Sequence, residues 1–185
     1  MRHSQILMLV VMGGCSSPSA MPTLGLPRAN LSPSEIAGFE AGHALFGRRF
    51  TAAEGLSNDR QAAACTDCHG SPTAGGAASS ERARITRALV DPPRLPNQLY
   101  GVGDFERGTD EDVAAGCGVD EALGIRGEPL RLDRGGVGRF GFRLAVRTVR
   151  EFVGAAAFYE LGLSNPVVGA DEDGVADPEI GDAAL

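Results

Sequence analysis

The sequence predicts a mainly α domain with long glycine- and proline-rich loops. Three observations carry this. Ser32-Pro33-Ser34-Glu35 is a fully punctuated helix start, an apolar stripe of helical period runs through 144–161, and no stretch of any length alternates with period two. The 185 residues suit one domain plus a targeting segment, and a hydrophobic fraction of 43% allows a core, although much of it is alanine. All 17 basic residues are arginine and the net charge is −7, which argues against the basic face that nucleic-acid binding requires.

The chain opens on a targeting segment, residues 1–14. Arg2 and His3 give a short positive start, and Ile6 to Met12 form an apolar run too short to span a bilayer permanently. Met12-Gly13-Gly14-Cys15 resembles a bacterial lipoprotein signal, in which the cysteine is acylated and becomes the first mature residue. Ser16 after it resembles the outer-membrane sorting pattern. Expected here are export to the periplasm and a lipid anchor on Cys15; the alternative is an ordinary signal peptide cut near Ala20. Residues 15–31, rich in Ser, Pro and Ala, read as a flexible tether to a domain covering 32–185.

The first helix follows. Ser32 suits the N-cap, Pro33 the first helical position, and Glu35 closes a capping box. Ile36, Phe39, His43 and Phe46 recur on one face, while Gly38 and Gly42 predict close approach of another element.

Cys65-Thr66-Asp67-Cys68-His69 is a C-x-x-C-H run, the attachment pattern of a c-type haem. Two thiols must reach two vinyl groups on one edge of the ring while the next histidine reaches the iron, so the spacing is demanding. Cys65 and Cys68 are read as the covalent anchors and His69 as the proximal ligand of one haem c. A thioredoxin-like dithiol wants a βαβ context that is missing here, and a zinc site wants a second Cys/His pair that the sequence does not contain. Covalent haem attachment takes place outside the cytoplasm, which agrees with the export signal. Cys117 is then left over, and a buried inert thiol is its expected fate.

Residues 71–143 are rich in Gly, Pro and Arg, with one modest helical patch at Ser80–Val90 where Glu81 and Arg84 could pair at the surface. The acidic run Asp104 to Asp112 reads as a solvated loop. The last strong helix is expected over Leu144–Leu161, with Val146, Val149, Phe152, Val153, Ala156 and Tyr159 as its stripe, Gly162 as its stop and Pro166 just beyond. Asp171 to Asp177 carries part of a calcium-loop pattern without the full twelve-residue spacing.

A family resemblance rests on several blocks taken together. These are Gly38 to Phe46, Phe50 to Leu56, Cys65 to Pro72 with Gly75-Gly76, Leu99-Tyr100-Gly101-Val102-Gly103-Asp104-Phe105-Glu106, Gly138-Arg139-Phe140-Gly141-Phe142-Arg143, and Glu160 to Pro166. Their order is similar to the N-terminal half of the bacterial di-haem oxidoreductases, also labelled thiol oxidoreductases and distantly related to the di-haem cytochrome c peroxidases. The resemblance covers roughly 33–180. It implies a cytochrome c-like fold in which the first helix crosses the last through Gly42 and Phe46. Family members carry a second C-x-x-C-H, which this sequence lacks, so the peroxidase activity that depends on both haems is not carried over as the leading function.

The sixth position on the iron is left open by the sequence. All four methionines precede His69 and lysine is absent, which leaves His43, Tyr100, Tyr159 or water. His43 reads more readily as a core or haem-edge residue than as a ligand. Tyr100 lies in a loop of the kind that crosses the distal face. Arg139 either forks onto a haem propionate or fixes a loop through backbone carbonyls. Phe140 and Phe142 line the haem crevice or pack in the core.

The expected function is that of an exported mono-haem c-type cytochrome passing single electrons through Fe(II)/Fe(III) to a redox partner protein. The alternative is a peroxidase-like oxidoreductase half that needs a second haem-bearing chain, or a truncated remnant of one.

Overall fold

The structure, a computed structural model, describes residues 23–57, 62–78, 95–169 and 178–181. The targeting segment with Cys15, the Ser80–Val90 patch and the Asp171–Asp177 run lie outside the described residues. In chain order the elements are α1 (Pro33–Gly47), a 3₁₀ turn (Ala52–Glu54), α2 (Cys65–Cys68), α3 (Val102–Glu106), α4 (Asp110–Ala115), β1 (Val119–Asp120), β2 (Ile125–Arg126), a second 3₁₀ turn (Phe142–Leu144) and α5 (Val149–Ala156). A π-helical turn, Ala157–Leu161, prolongs α5. β1 and β2 form one short antiparallel ladder, pairing Val119 with Arg126 and Asp120 with Ile125.

Helix starts follow local chemistry. At α1 the Ser32 amide donates to Glu35 Oε2 at 2.8 Å and the Glu35 amide returns to Ser32 Oγ at 3.3 Å, closing the box. α4 opens on the same device, Thr109 with Asp112, so the acidic run Asp104–Asp112 is two short helices rather than a loop. α5 opens on Thr148 with Glu151.

That last cap corrects the expected start at Leu144. Arg143 and Leu144 hold φ of 57° and 59°, in the left-handed region where no helix propagates, and the chain is re-capped at Thr148. The buried face also differs from the expected stripe. Gly154, Ala157 and Leu161 turn inward, whereas Val153 and Tyr159 are 37% and 45% exposed. The reason is the returning chain. Gly162, with φ of 84°, reverses direction and lays Leu163, Ser164 and Asn165, all fully buried, beside the helix. A Cβ on Gly154 would stand 2.8 Å from Asn165 Oδ1, so only glycine admits this approach.

The core gathers Phe50, Ala62, Ala157, Leu161, Leu163 and Ile180, with Leu45, Leu56, Cys65 and Cys68 packed against it. α1 touches this core only near its C-terminal end and has no buried residue. The expected tight crossing at Gly38 and Gly42 is not found: a Cβ on either would meet nothing within 4 Å. α1 packs instead against α2.

Candidate haem-attachment site

α2 is a single turn, held open at its N-terminus by its own second variable residue. The Asp67 carboxylate accepts from the Ala63 and Ala64 amides at 2.9 and 3.3 Å and from Arg49 at 2.6 Å. Partial burial pushes that carboxyl up, but the Arg49 hydrogen bond and the two amides outweigh it and hold it below the usual range. The anchored turn keeps Cys65 and Cys68 half-buried on the core. Burial pushes both thiols up, and the nearby Asp67 charge adds to this. They are therefore neutral thiols at neutral pH, the opposite of the depressed pair a dithiol oxidoreductase uses.

His69 caps the turn, its amide donating to Cys65 O at 2.8 Å. Its ring is oriented from behind. Nδ1 lies 2.9 Å from Asn97 O and 3.3 Å from Gly76 O. Carbonyls only accept, so Nδ1 carries the proton and Nε2 carries the lone pair. This is how metal-ligating histidines are commonly fixed. Burial lowers the His69 pKa, against the two carbonyls and the Glu160 charge that raise it, and favours the neutral, ligating form.

The carbonyls are themselves placed by glycine. The Gly75 amide donates to His69 O, Gly76 to Thr73 O, and Ser71 and Ala77 exchange amide bonds, closing a tight loop. A Cβ on Gly76 would sit 1.9 Å from Ser71 O, so no other residue fits there without moving the loop. The Leu99 amide then binds Gly75 O at 2.7 Å, which brings Asn97 to the ring.

The same loop holds Tyr100. Its hydroxyl donates to Thr73 O at 3.0 Å and its ring lies against Gly75, so Tyr100 buttresses this loop. His43 lies exposed on α1, stacked on Phe39 with ring centroids 6.0 Å apart, while Phe46, one turn on, stands 6.4 Å from the His69 ring. Tyr159 is exposed and meets Phe158 edge-on.

Arg139 takes the carbonyl-fixing role. Its guanidinium donates to Phe105 O, Glu106 O and Gly108 O at the end of α3, and to Asp110 at 2.6 Å. The side chain is only 8% exposed. Asp110 also pairs with Arg147 at 3.1 Å, which ties α4 to the segment before α5. Phe140 is buried and Phe142 is exposed. Cys117 is half-buried, its thiol 3.4 Å from Val113 O.

The donor set fits a covalent haem: two neutral thiols on one turn and one neutral imidazole with its outer nitrogen free of the backbone. Among the described residues, no three His, Cys, Asp or Glu side chains gather. Sequence reasoning missed the parts that orient His69. Asn97 and Gly76 act through backbone carbonyls, which leave no side-chain signature, although the Gly75-Gly76 pair was the available hint. No family model, curated protein or solved structure matches this chain.

Proposed function

We propose that the chain is an exported, lipid-anchored mono-haem c-type cytochrome of the periplasm, with a mainly α, cytochrome c-like domain. The observation that carries the reading is the orientation of His69, directly after the two cysteines in the chain: two carbonyls on Nδ1 leave the Nε2 lone pair for a metal. Bound haem would supply one-electron Fe(II)/Fe(III) exchange. The protein's part is to hold that imidazole neutral and oriented, and to present Cys65 and Cys68 as thiols for thioether formation. A redox partner protein takes or gives the electron.

The test is maturation of the full chain in a host with haem-attachment machinery, followed by haem staining on a denaturing gel. A stained band that is lost when Cys65 and Cys68 are both replaced by Ala is the expected result. A band that survives the double replacement, or no band from the wild type, overturns the assignment.

A second reading concerns the sixth position. The Tyr100 hydroxyl is already given to Thr73 O, which favours water or an exchangeable ligand on the iron and hence an oxidoreductase half working with a second haem-bearing chain. A shift in the reduced spectrum on adding carbon monoxide supports an open position. A spectrum that carbon monoxide leaves unchanged supports the electron carrier and returns attention to His43.

A further inference from the structure

Charge is unevenly distributed along this acidic chain. Residues 126–150 hold seven arginines against two acidic residues, net +5, whereas the remainder holds ten against 22, net −12. Within the basic stretch, Leu130, Phe142 and Leu144 are 43%, 39% and 44% exposed. The backbones of Leu130 and Leu144 meet at Gly138. Its amide donates to Leu130 O at 2.9 Å, and a Cβ there would stand 1.9 Å from Leu144 O. Phe142 lies two residues before Leu144.

The left-handed φ values of Arg143 and Leu144 place both side chains at the surface, where the Arg143 guanidinium lies over the Phe142 ring at 5.2 Å. Arg131 and Arg143 have no carboxylate partner among the described residues, while Arg126 is paired with Glu128 and Arg134 with Glu151. Apolar side chains bordered by unneutralised guanidiniums match a bilayer surface, since the apolar groups enter the headgroup boundary and arginine forks onto phosphodiester oxygens. A chain that is anionic elsewhere is repelled by such a surface on its other faces, which fixes the orientation.

We propose that the Leu130–Leu144 face is a membrane-contact face that takes the phosphodiester headgroups of an anionic phospholipid bilayer. It rests in part on the export reading above.

The test uses the haem-loaded chain with Cys15→Ser, so that no acyl chain contributes, and measures co-sedimentation with vesicles of phosphatidylethanolamine and phosphatidylglycerol against vesicles of phosphatidylcholine. Preferential binding to the anionic vesicles, weakening with salt and reduced about tenfold by R131Q/R143Q, is expected. F142S should reduce binding with little change in salt dependence. Equal partition into both vesicle types, or anionic binding untouched by R131Q/R143Q, overturns the proposal. So does the absence of vesicle binding together with concentration-dependent self-association that F142S abolishes, which would make the face a protein contact. An unchanged haem spectrum shows that each variant is folded, and acyl labelling of wild-type Cys15 tests the anchor separately.

Discussion

The turn that carries Cys65–His69 and the helix that precedes it are built in opposite ways. Around the turn Asp67 takes two amides and an arginine, His69 Nδ1 meets two carbonyls, and both cysteines lie on the core. α1 has a fully satisfied cap and no buried residue. Capping fixes where a helix begins, but most helical stability in proteins comes from packing an apolar face. α1 is therefore specified locally and held only at its end, by Leu45 against the core and Phe46 beside His69. The difference separates a turn whose polar side chains are held by several partners from a helix with no buried residue.

The sharpest way to break the core that the turn rests on is at Asn165, in the α5 return. Its side-chain amide donates to Gly154 O and Leu163 O, and its oxygen accepts from the Val167 and Val168 amides, all at a fully buried position. Asn165→Ala leaves those groups unpaired in the core and should cost roughly 2–4 kcal/mol, read from denaturant unfolding. A loss near zero would show that water reaches the α5 return and that this core is looser than described.

Gly76→Ala tests the histidine support itself. The added methyl must displace Ser71 O, which moves the loop whose carbonyl orients His69. A cost of roughly 1–3 kcal/mol is expected, together with a changed absorption spectrum of the matured protein. Lost stability with an identical spectrum would mean that Asn97 alone orients the ring.

Asp67→Asn has a smaller effect with a pH signature. The folded carboxyl titrates below its ordinary value, so its contribution is fully present above the unfolded value and is lost as pH falls through the folded one. The variant should be about 1 kcal/mol less stable at neutral pH, with the gap closing below about pH 4. A gap constant down to strongly acidic pH would remove Asp67 as the anchor of α2.

These contrasts also mark what the sequence could and could not disclose. The C-x-x-C-H run and the Ser32 cap were legible because their chemistry lies in side chains at fixed spacing. Gly162 as the stop of the last helix was legible for a different reason, because only glycine takes its left-handed φ of 84° without strain. The start of α5 was misread although Thr148-x-x-Glu151 is itself a capping box, because the apolar residues from Leu144 continue the helical period without a break. Two consecutive left-handed residues, Arg143 and Leu144, carry no glycine or asparagine to announce them. The placement of Tyr100 against Gly75 depends on Leu99 bonding Gly75 O, a long-range backbone pairing without any local pattern. Arg139 had two chemically equal uses in sequence, and only the approach of the α3 carboxy-terminus separates them.

The smallest expected effect tests the looser region. If α1 met α5 through Gly42, as the family resemblance implies, a methyl there would clash and Gly42→Ala would be costly. In this structure the position is open, with nothing within 4 Å of an added Cβ, so the substitution changes only helix propensity and should stabilise the protein by up to about 1 kcal/mol. Measured with and without attached haem, the variant distinguishes two arrangements. A gain in both forms keeps α1 away from α5 throughout. A gain in the haem-free chain that becomes a loss of more than about 1 kcal/mol in the matured protein would mean that haem attachment draws the helix down until Gly42 is covered, and that the crossing belongs to the matured state.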